Sequence, residues 1–86
     1  ARGLADEGIG PGDRVAIWGA GPIGLGATMV ARRLGARVAS LDVNAYRLDL
    51  ARSLGAELTL NPVQDDIQPA LLDWTQGRGL EAAFDC

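Results

Sequence analysis

The chain has 86 residues, 48% of them apolar and 22% charged, with a net charge of −3, one cysteine and no histidine. That describes at most one small globular domain, too apolar for wholesale disorder and without the roughly 20-residue apolar run that spans a bilayer. The acidic balance argues against a nucleic-acid partner, a lone cysteine excludes an internal disulfide, and a tetrahedral zinc site lacks ligands.

Residues 1–13 read as the end of a preceding helix, carrying Leu4, Ala5 and Ile9, and then the turn Gly10-Pro-Gly-Asp13. The opening Ala-Arg-Gly, with no charged-then-apolar leader, predicts an excerpt of a longer, cytoplasmic protein. Residues 14–86 then alternate strand and helix. Arg14–Trp18, Arg37–Asp42, a weaker Glu57–Leu60 and Glu81–Cys86 are short, apolar on both faces and bounded by turn residues, as parallel strands covered on two sides are. Between the first two, Ile23, Ala27, Val30, Ala31 and Leu34 form a helical stripe that Gly35 should stop. A second helix is expected from the N-cap Asn44 to Leu54, before Gly55. A third should start near Asp65 or Asp66, both read as capping residues, bury Ile67, Leu71 and Trp74, and end at Gly77. Ala31-Arg-Arg-Leu-Gly-Ala36 returns as Ala51-Arg-Ser-Leu-Gly-Ala56, each copy a helix end, a glycine stop and a strand start. This order predicts an α/β fold: a partial, doubly wound parallel sheet of about four strands, Rossmann-like, with helices on both faces.

Gly19-Ala-Gly-Pro-Ile-Gly24 is a G-x-G-x-x-G. With twelve glycines in the chain the pattern alone is weak, and its context raises it. It follows a strand, opens a helix, and precedes a second strand ending in Asp42, 21 residues beyond Gly21, against the roughly 20 expected of a dinucleotide fingerprint. In that reading Gly19 permits the tight turn, Gly21 admits the pyrophosphate, and Gly24 lets the helix pack closely. Pro22 suits the first helical position, and the amides of Ile23 and Gly24 face the phosphates at the positive end of the helix dipole. Asp42 accepts from the adenosine ribose hydroxyls and repels a 2′-phosphate, which favours NAD over NADP. Arg47 either covers the adenine, reaches the ribose, or is a solvated helix-face residue.

Pro11-Gly-Asp-Arg-Val-Ala-Ile-Trp-Gly-Ala-Gly-Pro-Ile-Gly24, Asp42-Val-Asn-Ala-Tyr-Arg-Leu48 and Ala51-Arg-Ser-Leu-Gly-Ala56 together resemble the medium-chain, zinc-type alcohol and polyol dehydrogenases. The likeness runs from about Gly8 to Cys86 and matches the first half of that family's coenzyme domain. It implies that Gly19, Gly21 and Gly24 are the family's three glycines, with Pro22 and Ile23 at its pyrophosphate turn. Asp42 then matches the ribose-binding acid, Val43 its apolar neighbour beside the adenine, and Arg47 the basic residue five further on. The implied activity is reversible hydride transfer between an alcohol or polyol and a nicotinamide, with zinc polarising the alcohol oxygen. The resemblance places the zinc ligands, the catalytic residues and the contacts of a homo-oligomeric parent outside this stretch.

Of the remaining residues, Cys86 reads as a buried structural thiol and Trp18 and Trp74 as packing residues. Asp85 ends a strand on the side where ligands collect. Two other readings keep the nucleotide. A zinc-free quinone reductase or a flavoprotein would use a similar turn, and a non-catalytic nucleotide sensor would use the same glycines and acid.

Overall fold

The structure, a computed structural model, describes residues 8–86; Leu4 and Ala5, expected in a helix, lie outside the described residues. Four strands, β1 (Arg14–Trp18), β2 (Arg37–Leu41), β3 (Leu58–Leu60) and β4 (Ala82–Asp85), alternate with helices α1 (Pro22–Arg33), α2 (Ala45–Ser53) and α3 (Ile67–Trp74). All strand pairs are parallel and the order is β3-β2-β1-β4.

The two-faced apolar patterning of β1 and β2 has its reason in that order. Val15, Ile17 and Val38 pack with Ala31 and Ala51 of α1 and α2, while Ala16, Ala39 and Leu41 pack with Leu60 and with Leu71 of α3. Both central strands are therefore buried on both sides. The chain steps outward from β1 to β3, then returns past β1 to form β4. Right-handed crossovers in opposite directions place α1 and α2 on one face and α3 on the other. The reversal falls between β1 and β4, and a crevice opens at their carboxyl ends.

The repeated hexapeptide is two copies of one helix-stop geometry. Gly35 (φ 86°) and Gly55 (φ 112°) are left-handed. Ala36 N–H donates to the Ala31 carbonyl and Ala56 N–H to the Ala51 carbonyl, each at 3.0 Å, the six-to-one bond of a Schellman motif. The opening turn is also formed: Asp13 N–H donates to Gly10, and the Asp13 carboxylate accepts from Gly10 N–H at 3.0 Å.

Five expectations need correction. The stripe expected on the first helix is not its buried face: Ile23 and Val30 are exposed, and Gly24, Thr28 and Ala31 are the buried residues of α1. The third helix ends at Trp74, and the left-handed residue closing it is Gln76 (φ 58°), one before Gly77. Asp66 holds the N-cap position but its side chain makes no cap bond; Asp65 instead accepts from Asn61 N–H at 2.7 Å. Trp18 is 36% exposed rather than packed away. Cys86 is exposed too. Partial burial, then the neighbouring Asp85 charge, raises the Cys86 thiol pKa and keeps the thiolate scarce at neutral pH.

Candidate functional site

The glycine turn sits at the point where strand order reverses. Gly19 follows β1 with φ 104°, and a Cβ there would stand 3.2 Å from the Cys86 carbonyl carbon. Its backbone angle strains any side chain there, and the β4 end would have to give way by a few tenths of an ångström to admit one. Gly24 is fixed differently: a Cβ would lie 1.8 Å from the Gly19 carbonyl oxygen, so the first turn of α1 rests directly on the loop before it.

Gly21 has no such internal constraint. It is the extended N-cap of α1 (φ −76°, ψ −170°), and the nearest atom to a Cβ would be Nη1 of Arg47 at 3.9 Å. The bare backbone at Gly21 thus faces open space, a cradle that a side chain would fill. Pro22 occupies the first helical position, leaving the amides of Ile23 and Gly24 without intrahelical acceptors or a side-chain cap. The first turn holds no acidic residue, and Arg32 and Arg33 stand in the last turn. The positive end of the α1 dipole is therefore uncompensated, and an anion there would meet N–H donors.

Asp42, just beyond β2, closes the site from the other side. Its Oδ2 accepts from Ala20 N–H at 2.8 Å and its Oδ1 from Asn44 N–H at 2.9 Å. The carboxylate thereby latches the glycine turn to the β2 turn. An ionised carboxylate has about four acceptor sites, so these two bonds do not exhaust it. Arg47 Nη1 lies 4.0 Å from Oδ2, and the Asp42 side chain is only 9% exposed. Partial burial pushes the Asp42 pKa up, but the N–H groups of Ala20 and Asn44, the Arg47 charge and the Val43 N–H together outweigh it and hold it below its ordinary value. The site acid is ionised throughout the neutral range.

Of the residues singled out in the sequence, Gly19, Gly21, Pro22, Ile23, Gly24, Asp42 and Arg47 all surround this turn. Val43 stands at its margin, 63% exposed. Ala20, whose amide holds the latch, and Asn44, whose Oδ1 accepts from Arg47 N–H at 3.0 Å and starts α2, also belong to it. A shallow cavity of about 340 Å³ lined by Trp18, Ala83, Phe84 and Asp85 opens where β1 and β4 end. Among the described residues no three histidine, cysteine or acidic side chains converge as a metal site.

The profile described as zinc-binding dehydrogenase matches residues 22–86. The chain belongs to the zinc-binding dehydrogenase family. It is 39% identical over 85 residues to an alcohol dehydrogenase of Cupriavidus necator, covering 98% of this chain and 23% of that protein. It is 41% identical over 75 residues to an L-threonine 3-dehydrogenase of Pseudoalteromonas atlantica, covering 86% of this chain and 22% of that protein. Among solved structures, the alcohol dehydrogenase TADH from Thermus sp. ATN1 superposes with a TM-score of 0.90 at 36% identity, covering 96% of this chain and 24% of that one. This member of the family thus spans about a quarter of the length of the relatives it matches. Among its described residues no helix is long and apolar enough to cross a membrane.

Proposed function

We propose that this chain is the adenosine-binding half of the coenzyme domain of a cytoplasmic, NAD-dependent dehydrogenase that acts on an alcohol or polyol. The observation that carries the reading is the pairing of Asp42 with Gly21. A carboxylate whose two backbone bonds leave acceptor capacity stands beside a bare backbone position at a helix N-terminus without an acidic residue or side-chain cap. A dinucleotide fits that arrangement. Its pyrophosphate lies over Gly21 against the amides of Ile23 and Gly24, and its adenosine ribose hydroxyls donate to Asp42.

The carboxylate also supplies the choice of cofactor. A 2′-phosphate would bring a second negative charge against Asp42, and the single guanidinium of Arg47 is already shared with that acid. NAD is therefore favoured over NADP. The bound nicotinamide supplies the hydride chemistry. Residues of this chain anchor and orient the adenosine end, while substrate, zinc and the contacts of a homo-oligomer are left to other parts of the protein.

Gly21→Ala tests the cradle. Because a Cβ there has room beside Arg47, the variant of the full-length protein should melt like the wild type. Its KM for NAD+ should nevertheless rise at least about tenfold, since the methyl occupies the phosphate's place. An unchanged KM would show that nothing approaches Gly21.

A further inference from the structure

Three turns stand side by side at the carboxyl edge of the sheet, one after each of β1, β2 and β3. Asp42 ties the first to the second through the Ala20 amide. Asn61, the first residue after β3, ties the second to the third: its Nδ2 donates to the Val43 carbonyl at 3.4 Å. The orientation of the Asn61 amide follows from its other end, where Oδ1 accepts from Val63 N–H at 2.9 Å and leaves the nitrogen facing Val43. The residue itself is held firmly. Its N–H donates to Asp65 Oδ2 at 2.7 Å, and its carbonyl accepts from the N–H groups of Gln64 and Asp65 at 3.0 and 2.7 Å. Val43 and Val63 carry exposed apolar side chains, 63% and 81% accessible, on the two turns that Asn61 joins.

We infer that Asn61 is a positioning residue for the adenosine end of the nucleotide. This rests on the reading of Asp42 as the ribose acid. With the pyrophosphate over the β1 turn and the ribose on Asp42 at β2, the purine base must lie toward β3, beside Val43. The Asn61 bond to the Val43 carbonyl then sets the separation of the β2 and β3 turns before the base arrives. Preorganisation of this kind strengthens binding without touching the reacting atoms.

The test compares Asn61→Ala and Asn61→Asp in the full-length protein, with NADH, ADP-ribose and reduced nicotinamide mononucleotide as ligands. Asn61→Asp keeps the oxygen that accepts from Val63 but has no donor for Val43, whereas Asn61→Ala removes both bonds without adding charge. Both variants should weaken NADH and ADP-ribose about threefold to tenfold, the usual worth of one hydrogen bond, and leave kcat unchanged. The mononucleotide, which has no adenosine, should bind as in the wild type. Undiminished ADP-ribose affinity in both variants, or an equal loss for the mononucleotide, overturns the assignment. Asp42→Ala, measured alongside, separates the two levels. If it abolishes ADP-ribose binding while the Asn61 variants do not weaken it, only the role of Asn61 fails. If ADP-ribose binding is indifferent to Asp42, the nucleotide site itself is misplaced, and the Asn61 inference falls with it.

Discussion

Gly24→Ala is expected to remove nucleotide binding and to destabilise the domain by about 3 kcal/mol or more, at the upper end of what overpacking costs. The cause is local: the new methyl would meet the Gly19 carbonyl oxygen at 1.8 Å, a backbone atom that cannot swing aside. Either α1 lifts off the turn or the turn itself deforms, and both move the Ile23 and Gly24 amides. Gly26→Ala supplies the control on the same helix. Nothing lies within 4 Å of its Cβ, and Gly26 is an ordinary interior position of α1. That substitution should be neutral or stabilise by about 0.5–1 kcal/mol. Thermal melts of the two variants, read beside NADH binding, check the contrast. Equal behaviour would mean that α1 does not rest on the turn as described.

Asp42→Ala should weaken NADH by about a hundredfold, through loss of charge-assisted bonds to the ribose and release of the Ala20 latch. Asp42→Asn should fall between the alanine variant and the wild type. It retains an acceptor oxygen but carries no charge, and should also improve NADPH binding relative to NADH. The pH dependence follows from the direction of the Asp42 shift. A carboxyl whose folded pKa lies below its unfolded value contributes fully above the unfolded pKa, about 3.9 for Asp. The contribution is lost as pH falls through the lowered folded pKa. The part of NADH affinity that depends on Asp42 should therefore be flat from about pH 5 to 8 and decline only in stronger acid. A decline centred near neutrality that vanishes in Asp42→Asn would contradict this ordering.

Much of the fold was legible because burial on both sides leaves a plain mark on a parallel strand. Val15–Ile17 and Val38–Leu41 read as continuous runs, and the twin Leu-Gly-Ala stops gave two helix ends that the backbone repeats bond for bond. What the local pattern does not encode is position within the sheet. Glu81–Cys86 reads as apolar as a central strand, yet β4 stands at the edge of the described sheet with Ala83 and Asp85 exposed. The glycine at 77 suggests a later end for α3 because Gln76 and Gly77 are both left-handed (φ 58° and 80°), and the six-to-one bond from Gly77 N–H to the Leu72 carbonyl makes Gln76 the first residue past the helix cap.

The same distinction holds at the site. The spacing of Gly19, Gly21, Gly24 and Asp42 is a sequence property, and all four surround one turn. The latch between Asp42 and Ala20, and the tie from Asn61 to Val43, join residues 22 and 18 apart across neighbouring strand ends. An Asn just after a strand signals a turn and gives no hint of which neighbour its amide reaches.

The central claim is that Asp42 and the glycine turn hold the adenosine ribose of NAD in the protein that carries this chain. Equilibrium titration of the full-length protein with NADH and with NADPH, followed by energy transfer from tryptophan to the nicotinamide, tests it most directly. Saturable NADH binding at least about tenfold tighter than NADPH is the predicted result, equivalent to about 1.4 kcal/mol of discrimination. Equal affinity, or a preference for NADPH, would show that Asp42 does not face the ribose 2′-position, and the account of the site would fail.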